Sequence, residues 1–309
     1  MRRKLLRRTP SGGGVRHKLE QAPGAINRLI NISCATVSIE SLIVRQQYRD
    51  LRIRPQLHLI LQSGPGSLKT TILEEVGVVH NVTPFSYITY AAAIGSIDSI
   101  TGDLIPGLVW QTRRRPLLLD EFRSGERGDT GSIDVLLGVL ESGLYKRKVG
   151  QRTRPFSEED GDLYYRVKDG EIEVKTRFPC IIATMKNLDM ARSEKYQALA
   201  QRCIPIRFAL TAKDLDEILQ GKPFYEHAKY RTEPHITISR HDYHRIHEIA
   251  RAFRDRNPTF QCVFARAVGD LCRIAAVTGE IDEQLCHLVC HLKLRHPIDQ
   301  ALTLSEKEP

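Results

Sequence analysis

Leu57-His58-Leu59-Ile60-Leu61-Gln62-Ser63-Gly64-Pro65-Gly66-Ser67-Leu68-Lys69-Thr70-Thr71 carries an apolar run into a glycine-rich turn and out again through Lys-Thr. That order of residue types is the chemistry of a nucleoside-triphosphate phosphate cradle. Glycines let the backbone curl so that successive N–H groups face an anion, Lys69 reaches the β and γ phosphates, and the Thr70 hydroxyl ligates Mg²⁺. The strict form of the loop has glycine directly before the lysine, where this chain has Leu68. Taken alone, the stretch also reads as a Pro-Gly loop ahead of a basic helix start. Its surroundings favour the cradle: residues 56–62 are β-rich and residues 70–76 read as a helix, so strand, turn and helix follow in the order such a loop needs.

A second segment supports the first. Pro116-Leu117-Leu118-Leu119-Asp120-Glu121-Phe122 reads as a buried strand delivering two carboxylates at its C-terminal edge, where ligands bind in open α/β sheets. Asp120 is then expected to hold the Mg²⁺ water shell and Glu121 to polarise an attacking water. An apolar run ending in Asp-Glu is common as a strand with a solvated acidic turn; the preceding Gly loop and Lys-Thr give this one its meaning. Phe178-Pro179-Cys180-Ile181-Ile182-Ala183-Thr184 reads as a third buried strand, with polar residues following through Asn187. Leu199 to Ile206 reads as a helix end meeting another strand, with Arg202 at the junction.

The remaining elements follow from periodicity and turn chemistry. Residues 19–54 look loosely helical up to Pro55, and an amphipathic hairpin or a short insertion is expected around 94–107. Residues 132–142 form an amphipathic helix stopped by Gly143. Residues 163–174 alternate around Asp169-Gly170, a β-hairpin pattern with Leu163, Tyr165 and Val167 on one face. A linker is expected over 211–239, then three helices at 241–254, 259–276 and 281–294. In the last of these, Cys286, His287, Cys290 and His291 place Cys and His at helical spacing. They read either as zinc ligands with Cys272 or His296, or as buried thiols.

Composition bounds the class. The 309 residues can bury a substantial core, and a formal charge of +9 points toward polyanionic partners, although much of the excess lies in residues 1–18, read as a flexible basic tail. That tail is Arg-rich and free of acid, so a transit peptide or a solubilising extension are alternative readings. Seven cysteines without framework spacing suggest reduced thiols and an intracellular setting, cytoplasmic or nucleoid-associated. No apolar run reaches the ~20 residues of a membrane span.

With these pieces in order, the chain resembles the AAA+ ATPases over residues 52–294, and among them the ATPase domain of MCM helicases. The quoted loop looks like the MCM cradle, which has Ala in place of Gly before the lysine, and Asp120-Glu121-Phe122 matches the family's Walker B ending. Lys148-Val149-Gly150 looks like the Lys-x-Gly of its pre-sensor hairpin, Arg202 sits where the family places an arginine finger, and Ala265-Arg266-Ala267-Val268 looks like the lid helix carrying a second arginine. Ala183-Thr184-Met185-Lys186-Asn187 stands in place of the family's Ala-Ala-Asn, leaving Thr184, Lys186 or Asn187 as the polar sensor.

The resemblance implies a P-loop AAA+ three-layer αβα core with a parallel sheet over 19–210, a hairpin insertion at about 144–177, a small α-helical lid domain over 240–300 and a tail over 301–309. ATP and Mg²⁺ would be the cofactors. Gly64, Pro65, Gly66, Ser67, Leu68, Lys69, Thr70 and Thr71, with Thr184 and Asn187, would hold the nucleotide. Thr70 and Asp120 would position the metal, and Glu121, Asp120, Lys69, Arg202 and Arg266 would carry catalysis, the two arginines reaching a neighbour's nucleotide in a homo-oligomeric, hexameric ring. Lys146, Arg147 and Lys148, with Arg152, Arg154, Arg166 and Lys168, are candidates for nucleic-acid phosphates, DNA before RNA, because backbone tracking needs cation density. A solvated basic loop is the plainer reading of the same residues. The function implied is a DNA helicase or translocase core. A partner protein supplying an N-terminal module is a further expectation, because residues 1–50 leave no room for one. MoxR-type AAA+ proteins, which remodel other proteins, share the Pro-Gly-x-x-Lys-Thr loop and the Asp-Glu strand end and are the competing reading.

Overall fold

The computed structural model describes residues 23–64, 66–86, 88–98, 100–101, 103–120, 131–148, 154–184, 194–208, 210–230 and 232–294. The basic tail, Pro65, Glu121, Val149, Gly150, Arg152, Lys186, Asn187 and the 301–309 tail lie outside them.

The chain opens with α1 (Pro23–Ala35), then β1 (Ser41–Val44), β2 (Leu51–Ile53) and β3 (Leu59–Gln62). The glycine-rich loop leads into α2 (Lys69–His80), followed by α3 (Tyr90–Ile94), the hairpin β4 (Gly95–Ile97) and β5 (Leu104–Pro106), α4 (Leu108–Gln111) and β6 (Leu117–Leu119). After α5 (Gly131–Ser142) come β7 (Leu144–Lys148), β8 (Phe156–Asp160), β9 (Leu163–Lys168) and β10 (Glu171–Lys175). Then follow β11 (Cys180–Thr184), α6 (Glu194–Arg202), β12 (Ile204–Arg207), α7 (Ala212–Leu219), β13 (His235–Ile238), α8 (Arg240–Arg256), α9 (Phe264–Thr278) and α10 (Glu283–Leu294).

The fold is mixed α/β around a parallel four-stranded sheet of order β12-β3-β11-β6. Phe85 extends it beyond β6 through a parallel bridge to Leu119. The strands are short and apolar because both faces are covered. Leu59 and Leu61 enter one apolar cluster with α1, α2 and α8–α10, whereas Ile60, Leu117, Leu119 and Ile182 enter a second with α3–α6. All of these side chains are fully buried, which contributes roughly 1.5–3 kcal/mol each. From β3 the chain moves outward to β6, returns to β11, and only then crosses to β12 on the other side. That reversal beside β3 is a topological switch point, the place at the carboxyl ends of the strands where open α/β sheets take their ligands, and the glycine-rich loop follows β3 there.

Two expectations need correction. The stretch 41–53, read as part of a loosely helical segment, is an antiparallel pair, β1 with β2. Its period-2 signal is short: Leu42 and Val44 are buried while Ser41 and Ile43 are half-exposed. The stretch 211–239, read as a linker, contains α7, opened by a Thr211/Asp214 capping box, and β13, which pairs in parallel with β1 from almost two hundred residues away.

The insertion at 144–177 is larger than one hairpin. It is an antiparallel sheet of order β7-β10-β9-β8. Its Asp169-Gly170 turn has φ of 51° and 73°, the paired positive values of a type I′ two-residue hairpin. Among the described residues no helix is long and apolar enough to cross a membrane.

Candidate functional site

The loop after β3 and the end of β6 meet at the carboxyl edge of the sheet. Thr70 Oγ1 donates to Asp120 Oδ2 at 2.8 Å, so the first turn of α2 and the end of β6 are joined where one cation could sit. The backbone of Asp120 is fixed independently, its N–H donating to Phe85 O at 2.9 Å. Lys69 is buried and its Nζ curls back to Ser63 O and Gly64 O, both at 2.8 Å, and to Ser67 Oγ at 2.9 Å. The ammonium is thus held at the loop by carbonyl dipoles, which a phosphate would outcompete. Ser63 Oγ is buried in the same loop with no hydrogen-bond partner among the described residues, and α2 starts without a side-chain cap or an acid in its first turn. Orphan donors and an uncapped helix start are what an anion needs. These residues fit a nucleoside triphosphate with Mg²⁺: Lys69 and the loop amides on phosphate, Thr70 and Asp120 on the metal. Gly64, Gly66, Ser67 and Thr71 line the loop or the first turn of α2 as expected, and Thr184 ends β11 beside Gln62 of β3.

Leu68 explains its own irregularity. It adopts φ 57° and ψ 24°, the left-handed conformation, at the position where the strict loop carries glycine. The loop keeps the glycine geometry without the glycine, at a cost of about 1–2 kcal/mol in backbone strain.

Arg202 and Arg266 come together, but at the other edge of the sheet. Arg202 ends α6 immediately before β12, whose first residue Ile204 donates its N–H to His58 O, so both lie where the parallel strands begin. Glu141, in the last turn of α5, joins the arginines: its Oε2 lies 2.7 Å from Arg202 Nε and 2.8 Å from Arg266 Nη2. Burial opposes ionisation of Glu141, yet the bonds and charge from Arg266 and then Arg202 outweigh it and hold the carboxyl below the ordinary range. Neither arginine therefore shares an edge with Lys69 and Asp120 of its own chain. Sequence reasoning missed Glu141. The available signal was an acid in the last turn of a helix, where the macrodipole disfavours it and some partner must answer it.

Behind these arginines a buried network fastens α9 and α10 to the start of β12. Lys293 Nζ lies 2.6 Å from Asp270 Oδ2 and donates to Cys203 O at 2.7 Å and Gln201 O at 3.0 Å, while Arg273 Nη1 meets Asp270 Oδ1 at 2.5 Å. His58 is buried nearby, its Nδ1 accepting from Cys180 N–H at 3.1 Å. Burial first, then the charges of Arg54 and Arg273, push its pKa well below the usual imidazole value.

The basic candidates of the inserted sheet are gathered as expected but largely answered by acids. Lys146 lies 2.6 Å from Glu173, Arg166 lies 2.7 Å from Glu159 and stacks on Tyr164, and Arg154 lies 3.4 Å from Asp103. Arg147 stacks over Tyr90 at 4.0 Å. Lys148 and Lys168 flank Glu171 across β10. Over the described residues of this segment, 144–148 and 154–175, seven arginines and lysines face seven aspartates and glutamates, so the surface has no net positive charge from side chains.

Cys286 and Cys290 pack into the core of the C-terminal helices, and burial pushes their thiols up to about 11 and about 12. Among the described residues no group of three or more His, Cys, Asp or Glu side chains is arranged to hold a metal ion. A scan of the chain against protein-family models gives no match, and a search of curated proteins gives none either.

Proposed function

We propose that the chain is an ATP-hydrolysing motor of AAA+ type, with the parallel sheet and its helices as the nucleotide-binding core and α8–α10 as the lid. The observation that carries this is the 2.8 Å bond between Thr70 and Asp120 at the carboxyl edge of a sheet that switches direction beside the glycine-rich loop. Bound Mg²⁺ would neutralise charge on the phosphates. In this reading Lys69 and the loop amides bind and orient the triphosphate, Thr70 and Asp120 hold the cation, and Glu121 takes the proton of the attacking water.

The separation of Arg202 and Arg266 from Lys69 supports a homo-oligomer, with a hexameric ring as our proposal. In this reading two arginines at the edge opposite their own loop would act on a nucleotide bound by the next subunit, where their rigid forks would stabilise developing charge. Glu141 keeps the pair together and aligned until that partner arrives.

For the substrate of the motor, the MCM-like reading is DNA, threaded past Lys148 and Lys168. The ion pairs of Lys146, Arg154 and Arg166 favour the second reading, a MoxR-like remodeller of a protein partner, because a surface already neutralised offers little counterion release to a phosphate backbone. ATPase rate with and without single-stranded DNA, on chain lacking residues 1–18, separates the two. Stimulation that is lost in Lys148→Ala/Lys168→Ala supports the nucleic-acid motor; a rate unmoved by DNA at low salt supports the remodeller.

A further inference from the structure

Between α7 and the start of α1 lies a groove of about 210 Å³. Small-molecule sites begin at about 300 Å³, so this one suits one or two side chains of another segment. Ile218 and Phe224 give it apolar walls, and Asp214, Glu217 and Glu226 outnumber its one cation, Lys222. Glu217 is answered by Lys222 at 2.6 Å and by Lys213 at 3.7 Å. The Glu226 carboxylate has no hydrogen bond or ion pair among the described residues, while its backbone O is fixed by Asn27 Nδ2 at 3.0 Å and Asn31 Nδ2 at 2.9 Å.

The helix beside the groove is itself incompletely covered. Leu215, Ile218 and Leu219 form one apolar stripe of α7, yet none of its residues is buried and Leu219 is 81% exposed. The chain brings a candidate cover to this place. α1 begins at Pro23, and its Gly24 and Asn27 line the groove, so the segment before Pro23 joins the fold at the groove wall. Residues 1–18 hold seven arginines and lysines and no acid, and Lys4-Leu5-Leu6-Arg7-Arg8 combines two leucines with three of those cations. Residues 9–22 separate Arg8 from Pro23 and include Gly12, Gly13 and Gly14. A glycine-containing stretch of that length spans about 20 Å on average, enough to double back from Pro23.

We propose that Lys4 to Arg8 of the same chain dock in this groove, the leucines against Ile218, Phe224 and the stripe of α7, and the cations against Glu226, Glu217 and Asp214. The charges are complementary: the lining is acidic in a chain whose formal charge is +9, and the occupant is the most basic part of that chain. Tethering supplies the rest. A short linker holds its segment at an effective concentration in the ~1 mM range, so a contact with a dissociation constant of ~0.1 mM is favoured about tenfold within one chain. Neither the Lys69 loop nor Arg202 takes part, so the proposal stands or falls apart from the motor reading.

The test titrates a fluorescently labelled peptide of residues 1–18 with full-length chain at low ionic strength and follows anisotropy. Full-length chain carrying Leu5→Ser/Leu6→Ser/Arg7→Ser/Arg8→Ser has its groove open and should bind the peptide saturably, at one site per chain. Wild-type chain, occupied by its own segment, should bind it about tenfold more weakly. Adding Glu217→Gln/Glu226→Gln to the open chain should weaken binding about threefold to thirtyfold, the worth of two exposed ion pairs, and added salt should do the same. Asp214 is left in place because its carboxylate closes the capping box of α7. Should Glu217→Gln loosen that helix, Glu226→Lys, outside it, is read alone, and weaker binding is again expected. Absence of saturable binding to the open chain, or binding undiminished by the groove variants, overturns the proposal. Equal binding to wild-type and open chains shows that the segment does not occupy its own groove and overturns it too. Wild-type chain that sediments as a dimer where the open chain is single places the segment in a second copy and overturns the same-chain claim.

Discussion

Asp270→Ala should be among the most damaging single substitutions in the chain. Asp270 and Lys293 are 3% and 2% exposed in their side chains, and they lie 2.6 Å apart. Removing the carboxylate leaves the ammonium of Lys293 buried with two carbonyls and no counter-charge, and it also strips Arg273 of its 2.5 Å partner. Breaking a buried pair from one side costs about 3–5 kcal/mol, because the stranded charge cannot return to water. For a chain of this size that corresponds to a fall in melting temperature of about 5–8 °C. The assay is urea unfolding with the slope checked, since an unchanged m-value keeps the comparison between the same two states. The double variant Asp270→Leu/Lys293→Met is the sharper part. Replacing both charges by apolar groups removes the stranded ion, so the pair should be more stable than Asp270→Ala alone. A cost below about 1 kcal/mol for Asp270→Ala, or a double variant that loses the sum of both singles, would falsify the idea that α9 and α10 are fastened to β12 through this ion pair.

Other outcomes follow from the same geometry. At Leu68, with φ 57°, unfolding midpoints should rank Gly at or above Leu, and Leu above Val, because a β-branched side chain tolerates the left-handed region least; the Val variant should lose about 1 kcal/mol or more. His58, buried and held neutral, has a folded-state pKa below its unfolded value, so its contribution is fully present above pH 6.5 and is lost as pH falls. His58→Gln should flatten the stability profile between pH 7 and 5, where one such group contributes a slope of at most about 1.4 kcal/mol per pH unit. Glu141, held below its ordinary value of 4.5, contributes above that pH and stops contributing as acid is added. Glu141→Gln should therefore change stability little at pH 3 and by no more than ~1 kcal/mol at pH 7, since the carboxylate is nearly half exposed. If the arginines act across an interface, Arg202→Ala chains mixed with Lys69→Ala chains should regain ATPase that neither has alone, which steady-state phosphate release measures.

The elements that place the candidate site were legible because each carries a local signal. Leu59-Ile60-Leu61 and Leu117-Leu118-Leu119 are short continuous apolar runs bounded by turn residues, and Asp169-Gly170 can serve only a tight hairpin. What escaped depends on distance. His235-Ile236-Thr237-Ile238 becomes a strand because Ser41 to Val44 is there to pair with it, and nothing in four residues announces that. The same holds for the neutral charge of the inserted sheet. Lys146, Arg147 and Lys148 read as a basic run in sequence, but β10 supplies Glu171 and Glu173 directly across from Lys148 and Lys146. Arg54 showed no signal at all, since a lone arginine before Pro55 becomes unusual only when Gln56 is found to be its single side-chain hydrogen-bond partner among the described residues.

If the glycine-rich loop and Asp120 form one nucleotide site, equilibrium binding of ATP with Mg²⁺ to three chains will show it. The wild type should bind; Lys69→Ala should lose binding by a hundredfold or more, as expected for removal of a buried phosphate-bonding ammonium; and Glu121→Gln should bind as the wild type does while hydrolysing nothing. Wild-type affinity in Lys69→Ala, or normal turnover in Glu121→Gln, would contradict it.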